Sequence, residues 1–122
     1  MALSFLAVPD SEIYLGVGNR QKMFLALPGT NDYPNPGGWA VTAAALGFQR
    51  ISQFDVQSSN STFAGYVFTV AMAWPTSNPP PGLTSLNVQL YWTGAALSGV
   101  LAQPANNANF SGGVFACVVQ GY

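Results

Sequence analysis

The side chains able to do acid–base or ligand chemistry are few, and their spacing suits it poorly. Seven residues carry charge: Asp10, Glu12, Arg20, Lys22, Asp32, Arg50 and Asp55; histidine is absent. Asp10 and Glu12 stand two apart, so on a strand they share a face, where a carboxylate pair can bind Ca2+ or move protons. Ca2+ asks for about six or more oxygens, and no Asp-x-Asp-x-Asp-Gly pattern follows, so the pair reads as solvated or partner-facing. A Ser-His-Asp triad and a histidine-based metal site both need an imidazole that the chain lacks. A Ser-Lys dyad would have to use Lys22, and no Ser-x-x-Lys spacing occurs. Gly16-Val17-Gly18 and Gly37-Gly38 lack the spacing that cradles phosphate and read as turns. Cys117 is the single cysteine, so no disulfide framework forms; it lies in an apolar run without a nearby charge and reads as a small buried hydrophobe. The sequence therefore predicts no catalytic residue, no cofactor and no metal: a non-enzyme.

What little charge there is lies at one end. Only 6% of the 122 residues are charged, against about 25% in ordinary soluble domains, and none falls between Val56 and Tyr122. Three cations and a net charge of −1 exclude a nucleic-acid footprint. A hydrophobic fraction of 49% argues against disorder. The best apolar stretch, Ala64 to Trp74, is too short for a spanning helix, which needs roughly 18–20 residues. Met1 to Val8 lacks the basic residues and cleavage site of a secretory signal. The expectation is a protein without a membrane, whose neutral Ser, Thr, Asn and Gln surface is covered by other protein in its working state.

Elements that could position these residues follow from the apolar period and the breakers. The length suits one domain, residues 1–122, with 1–9 as an N-terminal arm. Gln21–Leu27 reads as a strand with Met23, Leu25 and Leu27 inward and Lys22 outward. Pro28 to Trp39 is a loop. Thr42 to Gly47 is the one helical signal, capped by Thr42 and closed by Gly47. Phe48–Val56 is a strand whose Arg50 shares a face with Phe54 and Val56, a conflict that a bulge or an edge position accommodates. Phe63–Trp74 is apolar on both faces and reads as central or covered twice, with Tyr66 and Trp74 in the core. After the Pro75–Gly82 loop, Leu86, Val88, Leu90 and Trp92 form the inward face of a further strand. A turn at Thr93-Gly94-Ala95 leads into Ala96–Ala102; an Asn-rich loop and a last strand, Val114–Gln120, follow. Short strands with one helical turn near 42–47 at most predict an all-β, two-sheet antiparallel sandwich, jelly-roll-like.

The run Tyr33-Pro-Asn-Pro-Gly-Gly-Trp-Ala-Val-Thr-Ala-Ala-Ala-Leu-Gly-Phe48, followed by Arg50-Ile51, the strand Gly65–Phe68, the strand Leu86–Tyr91 and the loop Asn106–Ser111, resembles small capsid decoration, or cement, proteins of tailed bacteriophages. The sequence departs from that pattern at Val41, where Leu is usual, and in its Pro-rich stretch, Pro75–Gly82. The resemblance implies a virion structural protein on the outer surface of a capsid, bridging major capsid protein subunits as a homo-oligomer, with a trimer favoured, and assembled in the host bacterial cytoplasm. Expected interface residues are Leu3 and Phe5 in an arm that pairs with a neighbour's sheet edge, Tyr33, Pro34 and Trp39 in the long loop, and Pro79, Pro80 and Pro81. The rival readings are a glycan-binding module of a head or tail fibre, displaying Tyr33, Trp39 or Tyr91 on an open shelf, and a tail or neck structural protein.

Overall fold

Side chains alternate across a strand, so one buried face demands apolar residues at every second position. Ser85–Tyr91 and Phe115–Gly121 obey this most fully: Leu86, Val88 and Leu90 are buried on the first, and Phe115, Cys117 and Val119 on the second. These two strands are the centres of two facing sheets. The computed structural model describes residues 3–77, 82–92 and 101–122. Among them the strands are β1 Ser4–Ala7, β2 Ile13–Gly16, β3 Asn19–Leu27, β4 Trp39–Thr42, β5 Ile51–Ser59, β6 Val67–Ala71, β7 Ser85–Tyr91 and β8 Phe115–Gly121. One sheet runs β1-β3-β8-β5, with β2 beside the first residues of β3; the other runs β4-β7-β6, and every pairing is antiparallel.

That order has a topological meaning. In a full jelly roll the eight strands fall into two sheets, first-eighth-third-sixth and second-seventh-fourth-fifth. Counting from β3, the orders β3-β8-β5 and β4-β7-β6 reproduce this pattern without its fifth and sixth strands. Those two would lie outside β6 and β5. Among the described residues β5 pairs with β8 and, at Ile51 alone, with Leu83, and β6 pairs only with β7, so beyond Ile51 both edges stay open on the same flank. The fold is thus an all-β two-sheet sandwich of jelly-roll order, with one flank left uncovered by the described residues.

Aromatic rings fill the space between the sheets. Trp39, Phe63, Phe110 and Phe115 are buried, with Trp39 edge-on to Phe110 at 5.8 Å and Phe63 stacked on Phe110 at 5.5 Å. Each such ring contributes a large apolar area, and edge-to-face pairs add to it.

Several expectations are corrected. On β3 the faces are inverted: Phe24 and Ala26 are buried, while Met23, Leu25 and Leu27 lie half-buried on the outer face. Register decides this. Phe24 and Ala26 stand opposite Cys117 and Phe115, so they must point where β8 points inward. Lys22 shares that face within the strand, opposite Val119, and keeps its ammonium 5.7 Å from the Phe24 ring centre, its stem covering apolar surface. β6 is an edge strand, not a central one: Val67, Thr69, Ala71 and Ala73 are exposed. Trp92 and Trp74 are exposed, because both lie beyond the ends of their strands; Trp92 stacks on the half-buried Tyr66 at 5.6 Å. Two 3-10 turns form rather than one, Ala44–Leu46 and Ser61–Phe63. In the first, Thr42 Oγ1 accepts from Ala45 N and Gly47 closes the turn at φ 79°. In the second, Asn60 caps Thr62 N, a signal of the same kind that the alanine-rich turn overshadowed. The arm is not free, since Ser4–Ala7 pairs with β3 of its own chain. The conflict at Arg50 resolves as anticipated: β5 is an edge, it is bulged between Ile51 and Gln53, and Arg50 Nη1 donates to the Gly82 carbonyl at 3.2 Å. The 93–100 segment lies outside the described residues.

Candidate docking surfaces

The sequence places two exposed aromatics in the long loop from Pro28 to Trp39. Its two rings are instead anchored inside. Asp32, buried at the loop's centre, accepts from Gly29 N at 2.9 Å and from the Trp39 indole Nε1 at 3.3 Å. The Tyr33 hydroxyl donates to Gln103 Oε1 at 2.5 Å and accepts from Leu90 N at 3.1 Å. Burial pushes the Tyr33 phenol above its ordinary range; the Leu90 bond opposes this in part, and nearby Tyr91 adds to it. The two rings meet edge to face at 4.9 Å. Gly38 makes this possible: at φ 76° its bare Cα lies where any Cβ would collide with the Val88 carbonyl.

Tyr33 and Trp39 are therefore core residues and present no surface, which corrects their expected place at an interface. Leu3 is buried as well. Phe5 is half-buried, edge-on to Phe24 at 6.3 Å. Pro34 is exposed. Pro79, Pro80 and Pro81 lie outside the described residues. The five described residues do not form one surface. Tyr91, half-buried and bonded through its hydroxyl to Gln89 at 3.2 Å, does not form an open shelf with Tyr33 and Trp39, because both of those are inside.

Two other regions are open, and neither was singled out from the sequence. The first is the uncovered flank, where β5 and β6 bound a groove of about 730 Å³. Val56, Phe68, Val70 and Met72 give it an apolar wall, all four half-buried against the core. Trp74, 45% exposed, stands on its lip. Asp55, the one charged lining residue, accepts from Gln53 Nε2 at 2.6 Å. The signal for this groove is present: Phe63–Trp74 is apolar on both faces, yet the described residues supply cover for only part of one.

The second region is the hairpin joining β2 and β3. Tyr14 is 76% exposed and Val17 101%, with Ile13 and Leu15 exposed beside them. Gly16 pairs with Asn19, so Val17 and Gly18 form a two-residue turn with φ 53° and 79°, as in type I′. Asn-Gly suits that turn; a β-branched valine in the left-handed region is strained by about 1–2 kcal/mol. The hairpin base is held firmly. Arg20 Nη1 pairs with Glu12 Oε2 at 2.9 Å, its Nη2 donates to the Gly47 carbonyl, and the guanidinium lies 4.5 Å from the Phe48 ring centre. The run Ile13-Tyr14-Leu15-Gly16-Val17 was the available sequence signal, since it is apolar without alternation.

Reactive groups are sparse. Burial pushes the Cys117 thiol up to about 12, against partial relief from its bond to the Phe24 carbonyl, so it stays protonated at neutral pH. Among the described residues, no three His, Cys, Asp or Glu side chains cluster as metal ligands, and no helix is long and apolar enough to cross a membrane. No family model matches the chain, and neither the curated proteins nor the solved structures yield a match.

Proposed function

We propose that this chain is a non-enzymatic virion structural protein that decorates a bacteriophage capsid and stabilises it by bridging major capsid protein subunits. The observation that carries the reading is the uncovered flank. Two strand edges, open beyond Ile51 among the described residues, lie beside an apolar groove and form a surface suited to cover by other protein, through main-chain hydrogen bonds and side-chain burial together. The neutral composition supports it, because crowded copies repel one another little. The motif resemblance supports the viral setting. The chain's own place is then the outer surface of the particle.

The test is quantitative mass spectrometry of purified particles of the virus that encodes the chain. Hundreds of copies per particle support the capsid role. About six or twelve copies, as cyclic symmetry at a neck or tail would give, or no copies at all, overturn it.

One observation favours glycan binding as a second reading: Trp74 stands at the lip of a groove that also presents Gln53, Asp55 and Gln57. An aromatic plate with amide and carboxylate partners suits a sugar ring. Specific binding on a glycan array, lost in Trp74→Ala, would establish that reading.

A further inference from the structure

We propose that the Ile13–Asn19 hairpin of one copy of this chain docks into the β5–β6 groove of a second copy, so that the protein assembles head to tail with itself. The idea needs no capsid, because one chain carries both halves of the contact.

The two halves cannot meet within one molecule. The strand order β2-β3-β8-β5 puts the hairpin and the groove on opposite edges of the sheet, three strand spacings or about 14 Å apart. Each is also unfinished by itself. The hairpin projects Tyr14, Leu15 and Val17 into solvent, and Val17 is held in a strained conformation that no contact within the chain rewards. The groove offers Phe68, Val70 and Met72 between two edges whose outward amides and carbonyls, apart from those of Ile51, which bond Leu83, lack a partner strand among the described residues. The hairpin's free edge is that of β2, since β3 is already paired with β2 on one side and β8 on the other.

Area and charge agree. The four exposed apolar hairpin residues offer on the order of 400 Å² of surface, about half of what each partner buries in a standard interface of ~800 Å² per side. Strand edges and the hairpin's flanks supply the remainder. The groove's one charged lining residue is anionic Asp55, while the hairpin's flank carries Lys22; neither makes an ion pair among the described residues. A contact between different faces is heterologous, so it propagates and closes into a ring where the rotation allows.

Sedimentation velocity of the full chain over a concentration series tests this. Self-association is expected, weakened about tenfold or more in the double variant Tyr14→Ser/Val17→Asn and likewise in Trp74→Glu. Each variant must melt no lower than the parent; should Trp74→Glu fall below it, Gln57→Glu at the exposed lip replaces it. Mixing the two variants is decisive. One keeps its groove and the other its hairpin, so together they should form a dimer and nothing larger. A parent that stays monomeric at millimolar concentration overturns the proposal. So does association that survives both variants, or association lost through the groove variant alone, which would mean that the groove takes a different occupant.

Discussion

The loop from Pro28 to Trp39 and the hairpin from Ile13 to Asn19 exchange the places their compositions suggest. The loop is full of Pro, Gly, Asn and Asp, yet it delivers Tyr33 and Trp39 into the core. The hairpin is nearly all apolar, yet it stands in solvent. The difference is what faces each of them. The loop crosses the space between the sheets, and Asp32 and Gln103 satisfy the polar atoms that the two rings bring with them. The hairpin lies at the edge of the larger sheet, where no second sheet opposes it. Composition thus records what a segment needs, while topology decides whether the same chain meets that need.

The sharpest way to break this comparison is to truncate one aromatic from each region. Trp39→Ala should lower unfolding free energy by about 3–5 kcal/mol, since it empties a packed site among four rings. Tyr14→Ser should stay within about 0.5 kcal/mol under conditions where the protein is monomeric. Urea unfolding measures both. Similar losses for the two would mean that the hairpin is packed within its own chain.

Alkaline pH probes the same interior. The Cys117 thiol titrates from an ordinary value of 9.0 in the unfolded chain but near 12 in the fold. Its stabilising contribution is therefore complete below pH 9 and is lost as pH rises toward 12. In that window unfolding free energy should fall by up to about 1.4 kcal/mol per pH unit. Tyr33, also raised, steepens the loss above pH 10. Urea midpoints between pH 8 and 11 should show the slope, and Cys117→Ala should remove the thiol's share. A flat profile would mean that the thiol is open to solvent.

A third measurement isolates the loop's polar anchor. Asp32→Ala leaves the Gly29 amide and the Trp39 indole N–H without their acceptor, at a cost of about 1–3 kcal/mol. A stability equal to the parent's would show that the rings hold the loop without the carboxylate.

Much of the sandwich was legible from residues alone. Leu86, Val88 and Leu90 alternate cleanly with polar neighbours, and their inward face follows directly. Gly47 and Thr42 marked the short turn correctly. β3 failed because both of its faces are apolar, so period alone could not choose between Phe24 and Met23; pairing with β8 makes the choice. The aromatics of the long loop failed for a different reason. Hydrogen-bond partners distant in sequence, Leu90 and Gln103 for Tyr33, are invisible to local pattern. The open flank was half legible. Phe63–Trp74 announced a need for cover, but only the strand order shows that the described residues leave the need unmet.

One modest expected effect has the opposite sign. Val17 sits at φ 53°, where its branched Cβ crowds the backbone, and it makes up for that with no buried surface, being fully exposed. Asn tolerates the left-handed region and is favoured before Gly in a type I′ turn, so Val17→Asn should stabilise the isolated monomer by about 1 kcal/mol. The gain should appear as a higher urea midpoint with an unchanged slope, because the surface exposed on unfolding hardly alters. The same substitution removes the tip of the proposed contact. One side chain would then raise the stability of the fold while lowering its tendency to associate, a pairing of signs that a purely structural role for the turn does not produce. Were Val17→Asn to destabilise the monomer, the valine would be held by its own chain, and the contrast between the buried loop and the unfinished hairpin would fail at the hairpin.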